Sequence, residues 1–328
     1  MNIQEIGEKA LNREDITREE AFFALDTPDE KLGSLVEAAF NVRKKYKGLK
    51  VGIQLLTNAR SGDCTQNCAY CAQSGASKAD IKKYKLIPFN SVMEHGNLVK
   101  EKNLSRHCIG LSGIRFSDGE IEKFCEYVQK LKAASAGPIC CSIGFLTRSQ
   151  AIKLKNSGVN RINHNLNTSR AFYPNICTTH SYDERVENIK MLKETGFEIC
   201  CGGIIGLGET KEDVIDMFFD IKKINPQSTP VNFLIPIKGS LMENARVDYL
   251  TPEYCLKVLS LARLMLPTQD IRCAAGREIY LKGREKELFS VADSIFASGY
   301  LTSGGQGVDE TTALVTRNGF ECSIEGEG

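Results

Sequence analysis

The sequence carries almost no excess charge: 42 Lys and Arg stand against 41 Asp and Glu, a net charge of +1. That leaves no basic field to attract nucleic acid and no acidic, solvating tail. There is no tryptophan, there are only nine prolines in 328 residues, and no stretch approaches the ~18 apolar residues that span a bilayer. The opening residues, MNIQEIGEKALNREDITREEAFFAL, are charged and amphipathic, without the apolar run and small-residue cleavage site of a secretory signal. A cytoplasmic protein with no nucleic-acid or membrane partner is expected. A reducing compartment in turn argues against a disulfide framework. One residue type is nevertheless plentiful. Thirteen cysteines, an odd number, point to thiolates that hold metal, with the remainder inert in the core.

Residues 1–48 read as an N-terminal helical extension, in which Thr17 and Glu20 have the spacing of a capping box. From Val51 the pattern changes. Short apolar runs at 51–58, 106–112, 138–144, 159–164, 197–205, 230–235, 269–274 and 293–298 read as strands. Segments with helical spacing lie between them, near 88–102, 117–134, 147–157, 181–195, 210–224, 251–265 and 281–291. Repeated βα units without a linker or internal repeat predict parallel strands and right-handed crossovers. The expected fold is α/β, a TIM-type (β/α)₈ barrel over residues 49–310, with 311–328 as a C-terminal tail. Such a barrel keeps its chemistry at the C-terminal ends of the strands. The long loop after the first strand, Asn58 to about Lys85, holds the first cysteine cluster.

That cluster is Cys64, Cys68 and Cys71, spaced C-x₃-C-x₂-C. Three thiolates in one compact loop can each take one iron of a cubane, and a four-iron cluster ordinarily has four cysteine ligands. Three leave one iron open, which is what chemistry at the metal requires. The alternatives are three unligated cysteines or a zinc knot, and a knot wants a fourth Cys or His close by, where none lies between Gln73 and His95. With Tyr70 just before the last cysteine, the spacing resembles the signature of the radical SAM superfamily. The resemblance implies a [4Fe–4S] cluster on Cys64, Cys68 and Cys71 whose open iron chelates S-adenosylmethionine, and one-electron cleavage of that molecule to a 5′-deoxyadenosyl radical.

Further stretches narrow the match. They are Asn163 to Ser169 (NHNLNTS), Tyr182 to Arg185 (YDER), Cys200 to Thr210 (CCGGIIGLGET), Pro230 to Leu234 (PVNFL) and Arg272 to Glu278 (RCAAGRE). Each has a plain reading of its own. The glycine-rich run lets backbone approach a ligand or simply makes a turn. Asn163 and Asn165 share one face of a strand and need hydrogen-bond partners. Arg185 alone would pass for a solvated cation. Together, from about residue 50 to 305, the stretches resemble the biotin synthase family. The resemblance implies that Tyr70, Asn165, Asn167, Arg185, Gly203 and Ile204 contact S-adenosylmethionine, with Arg185 on the methionyl carboxylate. It implies Asn163, Asn165 and Asn232 for the substrate. Position 167 departs from the pattern, being Asn where the family more usually has Asp.

The same resemblance implies a second, auxiliary iron–sulfur cluster that donates sulfur, held by Cys108, Cys140, Cys200 and Arg272. All four are present, on the second, third, fifth and seventh predicted strands. Here too the sequence departs from the common form, because Cys141, Cys201 and Cys273 each adjoin one of these positions. Neighbouring strand residues face opposite sides. The three extra thiols are therefore either small core hydrophobes or, if a bulge turns them inward, additional ligands of a cluster larger than [2Fe–2S]. Cys125, Cys177, Cys255 and Cys322 receive no role.

By this resemblance the chain would be a sulfurtransferase that inserts sulfur into dethiobiotin. Its partners would be a flavodoxin or ferredoxin electron donor, the iron–sulfur assembly machinery and, as a homodimer, a second copy of the chain. Two other functions stay open from the sequence. One is a radical SAM enzyme of another substrate, such as a metal-centre maturase, which has no need of the strand thiols. The other is a non-catalytic iron–sulfur electron or sulfur carrier, which has no need of Arg185.

Overall fold

Capping residues set where the helices begin. Asn2, Thr17, Thr147, Ser181 and Thr210 each accept from the backbone N–H three residues on, and an acid or amide at that third position returns the bond, as expected for Thr17 and Glu20. In the computed structural model, which describes residues 1–134 and 137–323, the extension holds α1 (Ile3–Leu11), α2 (Arg18–Leu25) and α3 (Leu32–Lys47).

The barrel then runs β1 (Lys50–Arg60), α4 (Phe89–Glu101), β2 (Arg106–Leu111), α5 (Asp118–Ala134), β3 (Ile139–Ser142), α6 (Arg148–Ser157), β4 (Arg161–Asn163) and α7 (Tyr182–Glu194). Its second half is β5 (Glu198–Cys200), β6 (Gly203–Ile205), α8 (Lys211–Ile224), β7 (Ser228–Phe233), α9 (Pro252–Met265), β8 (Asp270–Cys273), α10 (Arg277–Tyr280), α11 (Glu285–Val291) and β9 (Ser294–Ala297). Every strand pairing is parallel, and β9 closes on β1 through Gly52 to Leu55 opposite Ser294 to Ala297. The fifth strand position is broken into β5 and β6, so nine segments fill eight places. At the break a Cβ on Gly202 would lie 1.9 Å from the Pro230 carbonyl, so only glycine fits between these backbones. No helix among the described residues is long and apolar enough to cross a membrane.

The chain after Ser298 differs from the expected tail. Val308–Arg317 forms α12, across the expected boundary at 310, and Glu321–Ser323 forms β10, parallel beside the start of β1. Phe320 lies beside Phe40 of α3 and Phe289 of α11, so a few apolar residues anchor this end against the extension and the barrel. Residues 324–328 of that tail lie outside the described residues.

Inward residues form layers. At the bottom, Arg161 donates to Glu198 at 2.9 Å, Arg106 pairs with Glu198 at 3.3 Å, and Asp270 takes Lys47 of α3 at 2.6 Å. A buried ion pair fastens the same end. Arg263 donates to Asp293, whose Oδ1 also accepts from the Ile271 N–H at 2.9 Å, and the two side chains are 0% and 6% exposed. Asp293→Asn keeps the shape and strands a buried guanidinium. We expect a loss of about 3–5 kcal/mol, read as a lower denaturant midpoint at unchanged slope.

Candidate active site

Two residues nearer the mouth than the charged layer, the pleat brings the second thiol set together. Cys108 pairs in register with Cys140, and Asn163 with Cys200. Arg272 donates from Nη1 to Cys200 Sγ at 3.5 Å, from Nη2 to Ser228 Oγ at 2.9 Å and from Nε to Ser294 Oγ at 3.3 Å, with its guanidinium 4.9 Å above the Phe296 ring. Cys108 Sγ donates to Gln54 Oε1 at 3.1 Å. All four groups are buried. Burial pushes the Cys200 thiol up; burial also opposes the Arg272 charge, but the three thiols beside it outweigh that and raise its pKa.

Cys141, Cys201 and Cys273 do not join them. All three are buried in the hydrophobic core, which also holds Cys125 of α5, Cys255 of α9 and Tyr182 at the start of α7. The physical reason is plain alternation. The register shift among these strands falls at Asn58–Arg60, on β1, and none turns a second thiol inward. In this structure Cys141, Cys201 and Cys273 belong to the hydrophobic core, whereas Cys108, Cys140 and Cys200 do not.

Above this layer a cavity of about 380 Å³ opens at the C-terminal mouth, lined by Cys64, Cys68, Cys71, Tyr70 and Arg185 on one side and by Asn163, Asn165, Asn167, Ile204, Asn232 and Phe296 elsewhere. Ser142, two residues beyond Cys140, lines it, as do Leu56 and Asn163, in register with Cys108 and Cys200; the strand thiols are not themselves among the lining residues. The strand-end amides brace the site. Asn163 Nδ2 donates to Cys200 Sγ at 3.4 Å, Asn165 Oδ1 accepts from Gly202 N–H at 3.1 Å, and Asn232 Nδ2 donates to the Gly203 carbonyl at 3.0 Å. Gly203 itself does not line the cavity.

Asn167 braces Tyr70. It sits at φ +74°, in the left-handed region that Asn tolerates, and its Nδ2 donates to the Tyr70 hydroxyl at 2.8 Å. A carboxylate can only accept there.

Arg185 is no solvated cation. Nε donates to the Tyr173 hydroxyl at 2.5 Å, Nη1 to the Asn165 carbonyl at 3.1 Å and Nη2 to His180 Nε2 at 2.9 Å. Burial works against its charge, yet Tyr70, Tyr173 and Cys68 around it raise its pKa, so a full positive charge faces the cavity. His180 Nε2 is an acceptor here, so the ring proton is on Nδ1, 2.9 Å from Gln66 Oε1. Cys68 Sγ donates to Cys177 Sγ at 3.7 Å, a bond that raises Cys68 and holds Cys177 down to about 3. Sequence reasoning misses Cys177, His180 and Tyr173; the one signal is the C-x₂-H spacing of Cys177 and His180 in a single loop.

The chain's sequence matches the family model of the Radical SAM superfamily over residues 58–221 and that of the Biotin and Thiamin Synthesis associated domain over 230–321. The biotin synthase of Bacillus subtilis (strain 168) is 40% identical over 322 residues, 98% of this chain and 96% of that protein. The chain belongs to the biotin synthase family. The biotin synthase of Bacillus licheniformis is 39% identical over the same shares of the two chains. Among solved structures, methylornithine synthase (PylB) superposes with a TM-score of 0.84 at 19% identity over 97% of both chains. The FeFe-hydrogenase maturase HydG from Carboxydothermus hydrogenoformans gives 0.83 at 17%, over 98% of this chain and 79% of that one. At these identities the likeness is one of fold. The family uses a [4Fe–4S] cluster and S-adenosylmethionine, and the mouth fits both: three thiols of one loop facing a cavity, with a buried guanidinium beside them for a carboxylate.

Proposed function

We propose that this chain converts dethiobiotin to biotin, with Cys64, Cys68 and Cys71 holding the [4Fe–4S] cluster and Cys108, Cys140, Cys200 and Arg272 an auxiliary cluster that gives up sulfur. The observation that carries this is the presence of two thiol sets in one barrel, the triad lining the cavity and the strand set beneath its lining, where Asn163 of the cavity wall touches Cys200. When bound, the cofactors supply a 5′-deoxyadenosyl radical, by one-electron cleavage of S-adenosylmethionine, and a sulfide for transfer to carbon.

The protein's part is holding and exclusion. Arg185, kept flat by Tyr173 and the Asn165 carbonyl, takes the methionyl carboxylate through its fork. Asn167 and Tyr70 brace one another, and with Ile204 they border the nucleoside, while Asn163, Asn165 and Asn232 orient dethiobiotin between the two depths. Walls of Leu56, Phe233, Leu234 and Phe296 keep water from the reacting carbon, and the fixed geometry replaces a diffusive encounter. No side chain in the cavity is required as a general base. An external one-electron donor, flavodoxin or ferredoxin, completes the reaction; the iron–sulfur assembly machinery and a homodimeric state belong to the same reading.

The deeper site offers four donors, enough for a [2Fe–2S] cluster at two per iron or a four-iron cluster at one per iron. Iron analysis of anaerobically reconstituted protein separates these, with about six irons per chain for the first and about eight for the second. The test of the function is incubation of reduced protein with S-adenosylmethionine and dethiobiotin. Deoxyadenosine together with biotin is the expected result. Deoxyadenosine alone indicates another substrate, and neither product indicates a carrier.

Arg185→Lys keeps the charge and removes the fork. It should raise the S-adenosylmethionine concentration needed for half-maximal deoxyadenosine release by about 10- to 100-fold, at unchanged iron content, in line with about 1.5–3 kcal/mol for a charged hydrogen bond.

A further inference from the structure

The loop after β4 brings to the triad two groups that the proposed reaction does not use. Cys177 Sγ lies 3.7 Å from Cys68 Sγ and 3.2 Å from His180 Nδ1. All three side chains are buried, with their ligand atoms within 4.8 Å of one another; among the described residues no other trio of Cys, His, Asp or Glu is so close. A tetrahedral zinc ion with Zn–S of about 2.3 Å and Zn–N of about 2.0–2.1 Å places two sulfurs about 3.8 Å apart and sulfur and nitrogen about 3.6 Å apart. Cys177's two spacings, 3.7 and 3.2 Å, differ from these by a few tenths of an ångström, and Cys68 Sγ and the His180 nitrogen lie within 4.8 Å. They are the spacings of ligands on one metal ion, whereas the thiols of a cubane bind separate irons.

The two loops are held together by bonds from Asn67, whose Oδ1 also accepts from Cys177 Sγ at 3.4 Å. Asn67 Nδ2 donates to Thr178 Oγ1 at 2.7 Å, Asn67 Oδ1 accepts from the Thr178 and Thr179 N–H groups at 3.0 and 3.3 Å, and the Ala69 N–H donates to the Ile176 carbonyl at 2.9 Å. The site is therefore pre-organised, with Gln66 Oε1 beside its imidazole for the fourth position.

We infer that the chain, before its cluster is installed, binds one thiophilic divalent cation of the zinc type through Cys68, Cys177 and His180 Nδ1. Two thiolates and an imidazole are a soft donor set suited to such an ion. Binding displaces the thiol protons and leaves the imidazole proton on Nε2, so the bond that Arg185 makes to that nitrogen must open. An ion so held takes Cys68 out of the triad, and the trio is a point of competition with cluster assembly. The inference does not depend on the proposed reaction.

Its test is an anaerobic titration of the reduced, cluster-free, full-length protein with Co²⁺, followed by displacement with Zn²⁺. One tight Co²⁺ per chain with thiolate-to-metal charge-transfer absorption is expected. Cys177→Ser, close to isosteric, and His180→Gln should each weaken it by at least about 100-fold, beyond the 10- to 100-fold seen for outer-sphere changes. Cys64→Ala and Cys71→Ala should bind as the parent does. Circular dichroism of each variant reports the fold. Undiminished binding by folded Cys177→Ser, or loss of binding in Cys64→Ala, would place the cation on the triad and overturn the inference.

Discussion

Replacing Cys71 with alanine is expected to reduce 5′-deoxyadenosine production to background. Each thiolate of the triad is proposed to hold one iron, so removing one leaves a cubane corner without its protein donor, and the next lining residues along the chain, Ala72 and Gln73, bring no thiol. Burial already pushes the Cys71 thiol up, so this thiolate depends on metal for its stability and nothing nearby replaces it. Cys68 is a less clean choice, because Cys177 stands 3.7 Å away and can stand in for a lost sulfur. The measurement is iron content and deoxyadenosine release under reducing, anaerobic conditions. We expect both to fall in Cys71→Ala, whereas Cys68→Ala retains some iron that a further Cys177→Ala removes. Deoxyadenosine at more than about a tenth of the parental rate in Cys71→Ala, a cost of no more than about 1.4 kcal/mol, would rule this thiol out as a ligand.

The strands are readable because each is a short apolar run between amphipathic segments, and the barrel follows from their number and alternation. All eight strand positions fall where those runs predict, although the run at 197–205 contains a break at Gly202 that apolarity alone does not mark. The short helix α12 and strand β10 are hidden for the opposite reason. Val308, Thr311, Leu314 and Val315 do give α12 a helical spacing within a short segment, while the β10 pattern is exposed almost throughout, so pairing with β1 defines that strand more than periodicity does.

The site is legible where one loop or one strand carries it. The triad is local, spanning eight residues, and its spacing alone is informative. The surroundings of Arg185 are not, because Tyr173, His180 and Asn165 reach it from three separate segments. Cys177 is hidden for the same reason, its neighbour Cys68 being 109 residues away in sequence. Alternation offers both an inward and an outward role at the neighbouring positions Cys140–Cys141, Cys200–Cys201 and Arg272–Cys273, and only the paired register of the strands decides between them.

That register gives the second large effect. Cys200→Ala should abolish biotin formation while leaving S-adenosylmethionine cleavage in place. Cys200 lies in the deeper layer, touched by Arg272 and Asn163, and none of the triad loop rests on it. Its loss removes one of the four inner donors, while Arg272 keeps Ser228 and Ser294 as partners and is not left bare. Iron should drop by the auxiliary share only, and deoxyadenosine should still appear when dethiobiotin is present, now without sulfur transfer. The neighbouring Cys201→Ala is the control, because that side chain packs outward against the helices. It should cost about 1 kcal/mol of stability as a trimmed core residue and keep biotin formation. If the two variants behave alike, or if Cys200→Ala also stops deoxyadenosine release, then the two depths of the barrel do not divide radical generation from sulfur donation.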